Sequence, residues 1–361
     1  MKVHAHNPTS LSLRHALRST LPYSINLTYR TQHPNRTEHA HILATFPEYQ
    51  DVAEPELPHC WAAAYLDRSS RPETELWLFA TGELPGHDES TSTPRNGIYD
   101  KEKFCPTCRD AVISLLSYMS TLPIPPIHPA NSKALRIAKQ HEQEYPEAGP
   151  DAQYPKTAAS YLRHLLLPHV VTLGAVHKGI AKICLEANLI CPQFPGLESE
   201  LNKWIFRIND MADAPPLPEG LRWGEMTAAD TEIVQARTPI PRPTHTLLSL
   251  QHVAIFEEAT GKPIAWSFLG LDGALSTLHV EPEHRGRGMA KAITSKIMKN
   301  YAHGLAVDSQ GNAWGHADVY IGNLQSEAVC KSMGGKPMWN TFWVRIDIAR
   351  AKGGQENKQG I

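Results

Sequence analysis

The stretch Leu278–Ala290, LHVEPEHRGRGMA, holds the residues with the clearest chemical use. An apolar, strand-like run ends at Pro282, glycines alternate with arginines after it, and a helical pattern starts inside the glycine-rich turn. The first N–H groups of a helix have no partner within it, and the helix dipole favours negative charge at that end. Gly286 and Gly288 let the main chain approach a pyrophosphate without an intervening Cβ, while Arg285 and Arg287 bring cationic donors to the same place. A surface turn with two solvated arginines is the bland reading. The flanking strand and amphipathic helix favour a phosphate-binding turn instead. It is not a P-loop, since no Gly-Lys-Ser/Thr is present. Nor is it the dinucleotide fingerprint G-x-G-x-x-G, because Lys291 stands at the third glycine's place.

Two other motifs carry weaker chemistry. Cys105-Pro-Thr-Cys108 has the spacing of half a zinc site, yet no second C-x-x-C accompanies it, and Cys184 and Cys191 are seven apart. His87, His128 or His141 can complete a ligand set on paper, but the chain has 19 histidines, so such a match is cheap. The pair reads as two ordinary thiols and no metal is expected. In the proline-stiffened run Arg237–His245, Arg242 can clamp a carboxylate bidentately or simply be a solvated cation. Trp266, Trp339 and Trp343 read first as core and second as walls of an acyl pocket.

These residues need elements to position them. Ala290, Ile293, Ile297 and Tyr301 make one apolar stripe with Lys291, Lys296 and Lys299 facing elsewhere, so Gly286–Tyr301 is predicted helical. Around it the patterns give helix Ala228–Arg237, strands Val253–Glu257, Ile264–Gly270 and Ala274–Glu281 with a turn at Asp272-Gly273, strand Ala317–Ile321, helix Leu324–Met333 and strand Trp339–Ile346. Upstream, Leu11, Leu13, Ala16, Leu17 and Leu21 fit one helix face, followed by strand-like runs Ile25–Tyr29, Ala40–Thr45, Cys60–Leu66 and Leu76–Ala80. Helices are expected at 106–121, 131–143, 157–167 and 174–188. Residues 82–100, GELPGHDESTSTPRNGIYD, lack the apolar content to fold and mark an insertion over about 83–155. DAPPLPEG at 213–220 suits a linker, which separates lobes at 1–215 and 216–350, with a frayed tail at 351–361.

At Arg285, Gly288 and Ala290 the chain resembles the GNAT superfamily of N-acyltransferases, whose motif is Arg/Gln-x-x-Gly-x-Gly/Ala. Asn323, Ser326 and Gly334 are similar to its later Asn-x-x-Ala…Gly-Phe pattern, with Gly335 at the Phe position. PEHR at 282–285, Trp266, SMG at 332–334 and WNTFW at 339–343 look like the glycine N-acyltransferase branch, as do LPYS at 21–24 and FPE at 46–48. The resemblance implies an α+β fold of two GNAT-like lobes, each a mixed, mainly antiparallel sheet flanked by helices, with the catalytic lobe C-terminal. It also implies a V-shaped opening between parallel strands 274–281 and 317–321 that takes the pantetheine arm of acyl-CoA. The main chain of Leu278, His279 and Val280 would meet that arm, Arg285 to Ala290, Met289 included, would hold the pyrophosphate, and Asn323 and Ser326 would complete the cofactor site. The Val280 N–H would serve as oxyanion donor.

That branch's acidic base falls on Ala274, so another residue must take the acceptor's proton. Asp272, His279 and Glu281 are nearby; His279 is preferred because an imidazole titrates near neutrality, and Asp272 reads as a turn residue. Strict strand alternation would put 275, 277, 279 and 281 on one face, opposite Leu278 and Val280. The family's general-acid tyrosine falls on Cys330, with Tyr320 as a further candidate.

Composition narrows the class. Lys+Arg 35 against Asp+Glu 37 gives a formal charge of -2, and no uninterrupted apolar run reaches membrane-span length, so neither nucleic acid nor a membrane is expected as partner. Six cysteines without a secretory signal argue for reduced thiols in a cytoplasmic protein. The basic first 37 residues leave a mitochondrial address open, outweighed by their reading as a folded helix. The expected activity is transfer of an acyl group, acetyl above all, from acetyl-CoA or another acyl-CoA to a small amine, possibly an amino acid. The competing readings are a non-catalytic acyl-CoA-binding protein and a protein N-acetyltransferase. The oligomeric state is not legible.

Overall fold

The computed structural model describes residues 1–49, 54–87, 103–144, 161–191, 196–238 and 242–354. In chain order the elements are β1 (His4–Ala5), α1 (Leu11–Ser19), α2 (Ile25–Gln32), β2 (His41–Ala44), β3 (Ala62–Leu66), β4 (Leu76–Ala80), α3 (Pro106–Met119), α4 (Ser132–Glu144), β5 (Val170–His177), α5 (Lys178–Glu186), β6 (Leu201–Arg207), β7 (Leu221–Gly224), α6 (Thr231–Arg237), α7 (Thr244–Ser249), β8 (His252–Glu257), β9 (Pro263–Leu269), β10 (Leu275–Val280), α8 (Met289–Ile297), β11 (Trp314–Tyr320), α9 (Leu324–Ser332) and β12 (Lys336–Asp347). Of the expected loop at 82–100, residues 88–100 lie outside the described residues, as do other parts of the 83–155 insertion, the start of the 157–167 helix and the tail from 355; Gly82 and Glu83 are not loop but are buried in a 3-10 turn, Thr81–Glu83. The tail's first residues belong to a 3-10 turn, Ile348–Gly354.

Two compact units emerge, each assembled from separate stretches. Unit 1 comprises Met1–Ala16, Arg36–Leu201 and Trp339–Ile361; unit 2 comprises Leu17–Asn35 and Asn202–Met338. Unit 1 contains the strand order β1-β2-β3-β4-β5-β12, antiparallel except for β4 beside β5. Leu115 and Leu116 of α3 and Ile180 and Ile183 of α5 join Leu76, Leu173 and Val344 in its core.

Two stretches take a different element type from the one the sequence suggests. Ile25–Tyr29 is helical, not a strand: Ile25, Leu27, Thr28, Tyr29, Arg30 and Thr31 are all buried, so α2 shows no polar face to betray its period, and its β-branched and aromatic residues mimic a strand. The predicted helix at 174–188 is the end of β5 followed by α5. A continuous apolar run does not discriminate the two, and the break is made by His177, whose Nδ1 accepts the Gly179 N–H at 3.0 Å at the helix start.

In unit 2 a four-stranded sheet runs β10-β9-β8-β7, each pair antiparallel. Met226, Val234, Leu247, Trp266 and Phe268 form an apolar cluster on one face, and Ile255, Ala265, Met289 and Ile293 form another with α8. Beyond β10 the sheet does not simply continue. β11 meets β10 at one parallel bridge, Ala274 with His316, and the strands form no further ladder with each other among the described residues.

A buried polar network sits at that bridge. Lys203 Nζ donates to Asp318 Oδ2 at 2.7 Å and to Asn26 Oδ1 at 2.9 Å, and lies 3.2 Å from His316 Nδ1. Asn26 Nδ2 donates to Asp272 Oδ2 at 2.7 Å, and His316 Nε2 donates to the Asp272 carbonyl at 2.8 Å. Nearby, Tyr29 of α2 donates its hydroxyl proton to the Trp314 carbonyl at 2.7 Å and presses its ring where a Gly273 side chain would be, 2.3 Å from an added Cβ. Gly273 also has φ +79°.

Gly273→Ala therefore meets both strain and overlap, and is expected to lower stability by roughly 2 kcal/mol or more, read as a reduced urea midpoint. Burial, and then Lys203, push the His316 imidazole down to about 4. The unfolded chain thus binds a proton at this residue that the folded chain refuses between pH 6.5 and about 4, so stability falls as pH is lowered through that window. Urea midpoints at pH 7 and pH 5 test this. His316→Gln should be less stable at pH 7 and lose less than the parent on acidification.

Candidate active site

The glycine-rich turn is built as the sequence expects, with different local detail. Gly286 and Gly288 have φ +75° and +80°, and Gly288 is the N-cap of α8 in the left-handed conformation. An added Cβ at either position would meet no protein atom within 4 Å, so the side of the turn where side chains would stand is open. Residues 286–288 form the turn, and the helix starts at Met289, with Met289, Ala292, Ile293 and Ile297 buried against the sheet. Its end unwinds into a π-helical turn, Met298–Ala302, where the sequence reading has α-helix to Tyr301. Arg287 and Gly288 are exposed, and Ala290 is half-buried. Arg285 turns back: its Nε donates to the Val280 carbonyl at 3.0 Å, tying the turn to the end of β10.

β10 carries a bulge. Ser276 pairs with Phe268, but His279, not Leu278, pairs with Trp266, and Thr277 has φ +54°, a rare conformation for a β-branched residue. The extra residue corrects the strict alternation expected from sequence. Leu275 and Val280 share one face with Leu269 and Ala265, whereas Ser276 and His279 share the other with Phe268 and Trp266. Leu278 and Val280 accordingly pack beside Met289 and Ile293. The Glu281 N–H donates to the Ile264 carbonyl at 2.8 Å. By ladder alternation, the N–H and carbonyl of Val280 point to the opposite edge of the strand, where β11 diverges.

His279 and Glu281 lie on the face away from α8. The imidazole stacks on Trp266, with ring centroids 4.7 Å apart, and its Nε2 is 3.6 Å from Glu281 Oε2, just beyond hydrogen-bond length. Glu281 accepts from Arg237 Nε, at the end of α6, at 3.1 Å. Burial lowers the His279 pKa from its ordinary value, and the neighbouring Glu281 carboxylate partly offsets that. The ring is neutral at pH 7 with a lone pair available.

The other candidates separate by burial. Asp272 is buried in the network at the bridge; burial alone would raise its carboxyl, but the His316 ring, Lys203 and the Asn26 hydrogen bond hold it below the usual carboxylate range. It is an ionised, saturated anchor. Cys330 is 3% exposed, and burial pushes its thiol up to about 12, which favours the protonated thiol over a thiolate. Tyr320, at the end of β11, is 49% exposed. Asn323 caps α9, its side chain accepting the Ser326 N–H at 3.1 Å, so these two residues shape the helix start. Sequence reasoning missed Asn26, Lys203, His316 and Asp318, whose positions are far apart in the chain. It also missed the pairing of Glu281 with Arg237.

Two family models match the chain: the acyl-CoA N-acyltransferase verG N-terminal domain over residues 1–206, and the FR47-like protein over residues 252–344. No curated protein matches. Among solved structures, an X-ray structure of a Drosophila protein aligns over 96% of this chain and 99% of its own, at 12% identity and a TM-score of 0.54, which speaks for the fold alone. A GCN5-related N-acetyltransferase from Sphaerobacter thermophilus aligns over 96% of this chain and 95% of its own, at 11% identity and TM-score 0.42. A tandem GNAT protein from the clavulanic acid biosynthesis pathway aligns over 96% and 98%, at 8% identity and TM-score 0.39. With the verG-type model spanning more than half of its length and an FR47-like match over the glycine turn and the diverging strands, the chain belongs to the verG acyl-CoA N-acyltransferase family and is a two-lobed protein of the GNAT superfamily.

Proposed function

We propose that the C-terminal lobe, residues 216–350, moves an acetyl or other small acyl group from acyl-CoA to the amine of a small molecule such as an amino acid, by direct attack on the thioester. The observation that carries this is the Arg237–Glu281–His279 group, where β10, the edge strand of its four-stranded sheet, runs into the glycine turn. The helix start and the cationic Arg287 suit the pyrophosphate, and the edge of β10 from Leu278 to Val280 suits the pantetheine amides. Arg285 acts mainly by holding the turn. The Val280 carbonyl already accepts from that side chain, which leaves the Val280 N–H as the group to meet the thioester oxygen.

In this reading, neutral His279 takes the proton from the attacking amine, and Glu281, oriented by Arg237, stabilises the imidazolium. Tyr320, accessible where Cys330 is not, returns a proton to the leaving CoA sulfur. Asp272, Lys203 and His316 act as positioning residues that hold the strands where they part. The formal charge of -2 favours a small acceptor over a basic polymer.

The direct test is acceptor-dependent thiol release from acetyl-CoA and longer acyl-CoAs across a panel of amino acids and amines. Release establishes the transferase. Acyl-CoA binding without release from any acceptor favours an acyl-CoA-binding protein. His279→Ala should lower kcat by about 10²–10⁴-fold with CoA binding retained, and full activity in that variant would remove His279 as base. Because burial lowers the imidazole pKa, the base form persists below pH 6.5, so the acidic limb of kcat/KM for acyl-CoA, at saturating acceptor, should lie below that pH. Gly286→Ala and Gly288→Ala meet no clash but hold a side chain in the left-handed region, and should cost about 1–2 kcal/mol of stability while weakening CoA binding by about tenfold or more. Unchanged affinity in a titration calorimeter would move the pyrophosphate elsewhere.

A further inference from the structure

We propose that Cys60, His87, Cys105 and Cys108 bind one zinc ion, a structural site in unit 1 apart from the acyltransferase chemistry. The sequence offers only the Cys105–Cys108 pair; folding brings the other two ligands to it. Cys60 precedes β3, His87 follows the 3-10 turn Thr81–Glu83 after β4, and Cys105 and Cys108 open α3. The four ligand atoms all lie within 4.8 Å of one another. Cys60 Sγ is 3.5 Å from Cys105 Sγ and 3.4 Å from His87 Nε2, and Cys108 Sγ is 3.2 Å from that same nitrogen. Zinc–sulfur and zinc–nitrogen bonds of about 2.3 and 2.0 Å give tetrahedron edges of roughly 3.5–3.8 Å, so closure needs shifts of only a few tenths of an ångström for these pairs.

The ligands stand on well-fixed elements. Cys105 is the N-cap of α3, with Pro106 at the first helical position and Cys108 one turn on, so both sulfurs project from the same helix end. The Trp61 N–H donates to Thr81 Oγ1 at 3.0 Å and the Thr81 N–H to the Trp61 carbonyl at 2.9 Å, which locks the start of β3 to the turn that leads to His87. Gly82 lets the Phe104 ring press in, 2.5 Å from where its Cβ would be, setting the approach to Cys105. The His59 ring stacks on His87 at 4.2 Å and fixes its plane. Three thiolates and one imidazole are a soft, closed donor set that selects zinc and leaves no position for a reacting water. The ion would cross-link the segments on either side of the stretch 88–102.

The test uses the full chain purified under reducing conditions without chelator. Metal analysis should find about one zinc per chain, released stoichiometrically when a mercurial titrates the thiols. His87→Ala and Cys105→Ser should lose the metal, while Cys184→Ser keeps it. Should the first two fail to fold, cobalt exchanged into the unaltered chain gives an independent reading. Intense tetrahedral ligand-field bands and thiolate-to-cobalt charge transfer support the site, and a weak octahedral spectrum overturns it. A reduced chain that takes up no zinc and whose Cys60, Cys105 and Cys108 are alkylated as fast with zinc as without it also overturns the proposal, as does a Cys60–Cys105 disulfide found by mass spectrometry in that reduced preparation.

Discussion

Unit 2 depends on how β10 leaves β11. The two strands meet at one parallel bridge, Ala274 with His316, and form no further ladder with each other among the described residues. Lys203, Asp318, His316, Asp272 and Asn26 hold the point of contact with hydrogen bonds and charge, with Lys203, His316 and Asp272 buried and Asn26 and Asp318 partly so. A buried ammonium is tolerated only where its donors are met, and here Asp318 and Asn26 accept from it. A network of this kind adds little net stability compared with apolar packing, but removing one partner leaves the others exposed to a low dielectric. It fixes a geometry more than it adds free energy.

From that anchor the rest of the site follows along one strand. The bulge at Thr277 puts His279 on the face of Ser276, against Trp266, while Leu278 and Val280 pack beside α8 on the face of Leu275. A positive φ at a β-branched residue is strained, and such strain persists where the surroundings over-determine it. The same strand then presents a backbone N–H at its free edge, and the chain enters a turn whose two left-handed glycines start α8. One strand and one helix start thus bring a part-buried imidazole and an open left-handed glycine turn close together, without a long loop to order between them.

The two units use buried polarity differently. In unit 1, Glu75 accepts from His164 at 2.6 Å and from the Thr172 N–H at 2.9 Å inside the core, and four metal-type ligands gather at one end of α3. In unit 2, Lys203, Asp272 and His316 meet where β10 and β11 touch. In both, residues distant in sequence meet at one point, and elements from separate stretches of chain complete each core.

Local pattern alone determined much of this protein: the glycine turn and the helix after it, the strands β8 to β10, and the superfamily resemblance carried by Arg285, Gly288 and Ala290. Each of these depends on neighbours in sequence, through period, turn chemistry and unpaired helix-start N–H groups. The tertiary structure decided what pattern does not encode. It made Ile25–Gln32 a helix because burial on all sides erased its amphipathic signal. It parted His279 from the face of Leu275 and joined it to that of Ser276, because a one-residue bulge shifts alternation without a sequence mark. It also gave partners to Lys203, Asp272, Cys60 and His87, since the contacts that define those groups join segments whose separation along the chain carries no signal of their approach in space.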